Sequence, residues 1–410
     1  MCIKKGEKEC SGSKEFYIPY KEDNNITTNL SLYAKWTKEE VDPPVVETYY
    51  TISYNMNGGS NGDNPVRYKE GDPSIELAKP VKIGCTFKGW YADEQFTQPI
   101  TSIDTSVNAD IQVYAKWLDC ISEVEYSIDI GIGREVVLYH ISDTHINAGT
   151  TQSDLNSEAS RVAARYGYAN TFGEKYDEDY LFSKSIDGFK AIASYIATQE
   201  ADAVCFTGDV MDYYSAANCN FVKQEMPKVN HPYLYCLGNH ETPASSYEDM
   251  VGMDTVDFTV LEFDDFEIVS LYNACTNSSG NYYYTEEQYE ALKAETEKNK
   301  PIILMEHIPI VTSENCGSRL EQCGSYFFID ENACSQTTKK VVDLICTNDN
   351  IKLILCGHIH GTTLTYVAPN KPQLTCSSGL IGIINKVTKK TQTEEPKLTW
   401  STSQKDISYK

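Results

Sequence analysis

The chain has 410 residues, of which 41% are apolar and 23% charged. That balance is close to the globular average, excludes a mostly disordered chain and leaves room for two or three domains. The 59 acidic residues outnumber the 35 basic ones and leave a net charge of −24, a surface that repels polyphosphate backbones and disfavours nucleic acid as a partner. No apolar run approaches the ~18 residues of a membrane span, so no transmembrane segment is predicted.

The start, Met1-Cys2-Ile3-Lys4-Lys5-Gly6, is charged and lacks the apolar segment of a secretory leader. A repeat follows. Leu32-Tyr33-Ala34-Lys35-Trp36 recurs as Val113-Tyr114-Ala115-Lys116-Trp117, and one full unit lies between the copies. It opens with the alternating stretch Tyr50-Thr51-Ile52-Ser53-Tyr54, turns at Asn57-Gly58-Gly59-Ser60, and continues through Gly89-Trp90-Tyr91 to the second copy. The alternation predicts a mostly β module with Trp90 and Trp117 in a small core. Residues 1–37 then read as the end of an earlier unit, 38–47 as a linker carrying Pro43-Pro44, and 48–118 as a complete repeat; the expectation is that the chain is cut from a longer one.

From about residue 122 to 400 the texture changes to short apolar strands interleaved with helices, which predicts an α/β layered fold. Strands are expected at 134–141, 203–206, 233–237, 258–263, 266–271, 301–305 and 352–356. Phe182, Ile186, Phe189, Ile192 and Ile196 fall at helical spacing, Thr285-Glu286-Glu287-Gln288 is a capping box, and residues 337–346 read as a further helix. The 14 cysteines include no Cys-x-x-Cys pair, which argues against a zinc ribbon or a dithiol redox site; Cys205, Cys236 and Cys356 read as buried thiols, and Cys316 and Cys323 are close enough in sequence to pair.

In an open α/β sheet, ligands collect where strands end at their carboxyl side. Five predicted strands end in Asp143-Thr144-His145, Gly208-Asp209, Gly238-Asn239-His240-Glu241, Glu306-His307 and Gly357-His358-Ile359-His360. Five of the 7 histidines lie at these ends; His140, inside a strand, reads as a core residue, and His231 as a surface one. Imidazole, carboxylate and carboxamide donors suit Zn, Fe, Mn or Ni, and their number exceeds what one ion takes.

The early repeat, through Asn57-Gly58-Gly59, Gly89-Trp90-Tyr91 and Tyr114-Ala115-Lys116-Trp117, resembles the Listeria–Bacteroides repeat, a β-grasp-like module of bacterial surface proteins. That resemblance implies an extracellular or cell-surface setting and a partner bound through the repeats. Over about 133–380 the ordered motif set resembles the calcineurin-like metallophosphoesterases. The resemblance implies a four-layer α/β/β/α sandwich with two metal ions (Mn, Fe or Zn): Asp143, His145 and His360 would hold one, Asn239, His307 and His358 the other, and Asp209 both. It also implies attack on a phosphomonoester or phosphodiester, a small molecule or head group, by a hydroxide shared between the ions. His240 would donate a proton or bind a phosphate oxygen, with Asp212 hydrogen-bonded to it. Asp212 is followed by Tyr213-Tyr214 rather than Arg-Gly, unlike the phosphoprotein phosphatases, and stands where purple acid phosphatases carry their tyrosine ligand. Arg161 and Arg165, in the polar stretch 147–180, are candidates for a phosphate or head-group clamp, and the stretch 315–330 for the opposite wall. The competing reading is a cell-surface interaction protein whose phosphoesterase-like domain is catalytically weak.

Overall fold

A computed structural model describes residues 47–117, 121–149, 185–241, 257–318 and 323–388, with residue 320 and parts of 151–163. The first copy of the repeat ending, the Pro43-Pro44 linker, Arg165 and everything after 388 lie outside the described residues.

In the repeat module the alternating sequences become strands. Tyr49–Asn55 and Ile111–Trp117 run parallel in the middle of a five-stranded sheet, flanked by antiparallel Arg67–Lys69 on one side and by Phe87–Tyr91 and Pro99–Ile100 on the other. One face buries Ile52, Tyr68, Trp90, Ile103, Val113 and Ala115. Both tryptophans satisfy their indole N–H on backbone carbonyls, Trp90 on Ala78 at 3.0 Å and Trp117 on Met56 at 2.9 Å. These rings therefore fill the core without stranding a buried donor. The module abuts the helix Ser185–Ile196, where Lys79 pairs with Asp187 at 2.8 Å.

The remaining strands form two sheets. The first has the order Tyr233–Cys236, Ala203–Thr207, Val137–Ile141, Ile383–Thr388, Ser122–Ser127. The second has the order Phe258–Glu262, Glu267–Leu271, Ile302–Met305, Ile351–Cys356, Lys371–Thr375, Thr363–Ala368. The strands that lead to the predicted donors are parallel to one another within each sheet. Their apolar runs are continuous because both faces are covered. Leu138, Cys205, Ile303, Met305, Leu353 and Leu355 point into the layer between the sheets. The alternate residues Tyr139, Val204, Phe206, Leu304 and Ile354 point outward, into the core that also takes Phe189, Ile192 and Val222 on one side and Leu292, Val341 and Ile345 on the other. The result is the expected α/β/β/α sandwich, with helices Ser185–Ile196 and Ala216–Glu225 outside the first sheet and Glu286–Thr296 and Gln336–Thr347 outside the second.

Local signals hold. Thr285 caps its helix, accepting from Gln288 N at 3.2 Å while Gln288 Oε1 accepts from Thr285 N at 2.9 Å. His140 is buried between Thr207 and Asn385. Cys316 and Cys323 are not bonded to each other. Among the described residues no helix is long and apolar enough to cross a membrane.

Candidate metal centre

Five strands deliver their ends to one place, and the backbone there is bent to do so. Eleven described non-glycine residues have positive φ. Five are asparagines, which tolerate that region, and one is Phe96. The other five are Asp143, His145, Asp209, His358 and His360, with φ between 42° and 70°. An L-residue in this region is strained by about 1–2 kcal/mol, and such strain gathers at functional sites. Two glycines make the approach feasible: a Cβ on Gly238 would lie 2.2 Å from Asp209 Oδ1, and one on Gly208 would lie 2.4 Å from the His307 ring. A side chain at either position would push these donors apart.

The donors fall into groups whose ligating atoms lie within 4.8 Å of one another: Asp143, His145, Asp209 and His360; and Asp209, His307 and His358. Asp209 belongs to both. His360 Nε2 is 3.0 Å from Asp143 Oδ1 and 3.3 Å from His145 Nε2. His307 Nε2 is 3.3 Å from Asp209 Oδ2 and 3.1 Å from Asn239 Oδ1, while its Nδ1 is 2.7 Å from the Thr207 carbonyl. That last bond fixes the tautomer and turns Nε2 into the cleft. Asp143 Oδ1 is buried, and its near neighbours are imidazole nitrogens, His360 Nε2 at 3.0 Å and His145 Nε2 at 3.7 Å. A buried acceptor in that state, ringed by imidazole nitrogens, fits a cation better than it fits an empty cleft.

The charges agree. Burial alone would raise the Asp209 carboxyl, but the imidazoles of His307, His240 and His145 outweigh it and hold it well below the usual range. Burial would lower His307, but Asp209 outweighs it and lifts the ring to about 9. Burial and the neighbouring His307 push His358 down to about 3. The cluster thus holds positive charge at one ring and refuses it at the next. Imidazole and carboxylate ligands must shed their protons to bind metal, so cations would take over from the proton on His307.

His240 and Asp212 sit beside this cluster, but their contact differs from the expected one. His240 Nδ1 donates to the backbone carbonyl of Asp212 at 3.0 Å, and the Asp212 carboxylate is 3.9 Å away. That carboxylate, 2% exposed, instead meets His145 Nδ1 at 3.1 Å and the Arg161 guanidinium. Spacing along the chain puts Asp212 near His240 but does not say which of its oxygens faces the ring. Arg161 also places Nη1 3.3 Å from His240 Nε2. Tyr213 turns away, donating to Asp154 at 2.8 Å and Asn147 at 3.1 Å.

Sequence reasoning passed over two sets of residues. Glu241 accepts from Met211 N, Gly238 N and the Tyr235 hydroxyl, and Glu306 accepts from Asn273 and the Tyr284 hydroxyl. Burial raises these carboxyls to about 7 and about 8. They pin the turns that present Asn239, His240 and His307; their adjacency to histidines in strand-end turns was the available signal. The second is Tyr282, which joins Tyr326 and Phe327, from the stretch 315–330 expected to form a wall, around His358.

Residues 136–362, more than half of the chain, match the calcineurin-like phosphoesterases, and residues 50–116 match the Listeria-Bacteroides repeat domain. The chain belongs to the calcineurin-like phosphoesterase family, with a Listeria-Bacteroides repeat ahead of the matched domain, and it spans less than a fifth of the first curated relatives it matches. It is similar to a protein of Colwellia psychrerythraea described as "Probable cyclic nucleotide phosphodiesterase", 26% identical over 210 residues, 48% of this chain and 73% of that protein. It is also similar to a "Putative membrane protein" of Evansella cellulosilytica, 34% identical over 130 residues, 32% of this chain and only 17% of that one. Among solved structures, a dimetal phosphatase from Danio rerio aligns over 60% of this chain and 88% of its own, with a TM-score of 0.40 and 11% identity.

Proposed function

We propose that this chain hydrolyses phosphomonoesters or phosphodiesters at a two-ion centre in which Asp143, His145 and His360 hold one ion, Asn239, His307 and His358 the other, and Asp209 both. The observation that carries the reading is the membership of Asp209 in both donor groups, the arrangement a shared carboxylate needs. Donor chemistry favours Mn, Fe or Zn. When bound, such ions polarise a phosphoryl oxygen and activate water for attack.

The protein's own groups do the rest. The bond from His307 Nδ1 to Thr207 and the contact of His145 Nδ1 with Asp212 orient both rings before any ligand arrives. His240, anchored through Nδ1, directs Nε2 toward Asp209 Oδ2, 3.8 Å away. From there the imidazolium form, protonated at both nitrogens, would contact a phosphate oxygen or give its Nε2 proton to the departing alkoxide and become neutral imidazole. Arg161 stands against the same imidazole and supplies a fork of donors for a non-bridging phosphate oxygen.

We take residues 48–118 as the complete repeat and 122–400 as the catalytic domain. The repeat supports a cell-surface setting, with the module as spacer or adhesive element. The competing reading, an interaction protein with a silent centre, is weakened because no donor position of the motif set is lost. Hydrolysis of para-nitrophenyl phosphate and of its bis-ester, with Mn, Fe or Zn supplied and then withdrawn by a chelator, decides between them. Turnover that follows the metal supports the enzyme; none with any metal would leave the interaction protein.

A further inference from the structure

The donors explain the polar residues at the strand ends and leave the aromatic residues beside His358 without a role. Tyr282 comes from the stretch before one helix, and Tyr326 and Phe327 from a short turn of 3-10 helix. They converge on one imidazole. The ring centroids of Phe327, Tyr282 and Tyr326 lie 5.1, 5.7 and 6.2 Å from that of His358. Tyr326 is 5.5 Å from Phe327 and 5.9 Å from Tyr282, so it packs against both. Tyr282 is buried and Phe327 half-buried, whereas Tyr326 keeps 57% of its surface open. A solitary exposed tyrosine needs no explanation. This one is different because it is the outer member of a tilted and edge-packed aromatic cluster whose inner member is a candidate metal ligand.

The position matters as much as the exposure. Arg161 flanks His145, Asp212 and His240, and the rings flank His358, which groups with Asp209 and His307. A phosphate held over Asp209 therefore has a guanidinium at one end and an aromatic surface at the other. Aromatic faces hold flat π-systems by offset stacking whatever their hydrogen-bond pattern. An aliphatic alcohol gains much less from them.

We propose that Tyr326, backed by Phe327 and Tyr282, is a stacking platform for a planar aromatic group carried by the phosphoester, either a nucleobase one sugar away from the phosphorus or an aryl ring. The inference rests on the hydrolytic reading above and adds a substrate class to it. The platform sorts flat from non-flat groups and does not read one base against another.

The test uses the full chain loaded with Mn(II) and matched substrates. AMP is compared with ribose 5-phosphate, cyclic AMP with glycerophosphocholine, and para-nitrophenyl phosphate serves as the aryl arm. In Tyr326→Ala the preference for the base-carrying member, taken as the ratio of kcat/KM values, falls about tenfold or more, mainly through KM. Tyr326→Phe, which keeps the ring and loses the hydroxyl, retains the preference. Phe327→Leu shows a smaller loss in the same direction. A selective loss on AMP and cyclic AMP assigns the platform to a nucleobase, and one on para-nitrophenyl phosphate to an aryl group. A preference unchanged by Tyr326→Ala, or a wild type that favours the base-free members, overturns the platform and leaves the hydrolase standing. A wild type that turns over none of the five substrates overturns the hydrolytic reading and the platform together.

Discussion

His145 and Asp212 meet at 3.1 Å, Nδ1 to carboxylate oxygen, with both side chains almost completely buried. The contact turns the other ring nitrogen of His145 toward Asp143, Asp209 and His360. On the proposed reading Asp212 therefore positions a donor. Asp212→Ala is expected to weaken metal retention and activity together, by about 10–100-fold, the usual cost of losing such a partner. Asp212→Asn keeps an acceptor for the ring and recovers most of the loss. The check is a metal titration of both variants alongside their turnover; equal loss in Asn and Ala would point to charge on Arg161 instead.

Arg161 reaches His240 and Asp212 although it is about a third exposed. On the proposed reading a guanidinium so placed meets the substrate phosphate rather than the ions. Arg161→Ala should raise KM by roughly 10–100-fold, the value of a hydrogen bond to a charged group, and leave the metal content of the protein at the wild-type level. Arg161→Lys should recover part of the loss, since a point charge replaces a fork. Steady-state kinetics with para-nitrophenyl phosphate and elemental analysis give both readouts.

These two residues also show where sequence stops. The donors were legible because each follows a short apolar strand, and the carboxyl ends of parallel strands converge by topology. A layered α/β fold was legible because strands covered on both faces read as unbroken apolar runs, whereas the four-layer order came from the family resemblance. The direction of a side chain was not. Asp212 is three residues from Asp209, which says nothing about whether its carboxylate or its carbonyl meets His240. Arg161 belongs to a polar stretch without periodicity. Tyr282 and Tyr326 belong to separate segments that only the fold brings to His358.

Away from the centre, Glu267 is buried opposite Glu262 in a strand pair and faces Glu295 on a helix, with Lys298 and Lys300 near. Burial first, then Glu295, raises its carboxyl from 4.5 to about 7. Between those values the folded chain holds a proton that the unfolded chain has released, so stability falls as pH rises from about 4.5 to 7. Glu267→Gln should remove that decline. At pH 8 the variant is expected to be more stable than the wild type by about 1–2 kcal/mol, a figure reduced for screening by the lysines. Urea unfolding at pH 5 and pH 8 measures it; parallel pH dependence in the two proteins would refute the assignment.

Asp209 lies in two donor groups, so the number of ions held reports on whether its carboxylate is shared. Elemental analysis of the full chain after loading with Mn, Fe or Zn and removal of excess should give two ions per chain. Asp209→Ala should retain at most one and lose about 10³-fold or more in phosphoester hydrolysis, since both ions lose a ligand and the attacking water loses its place. A wild type that retains a single ion, or an Asp209→Ala protein that still holds two, would contradict the shared-carboxylate centre.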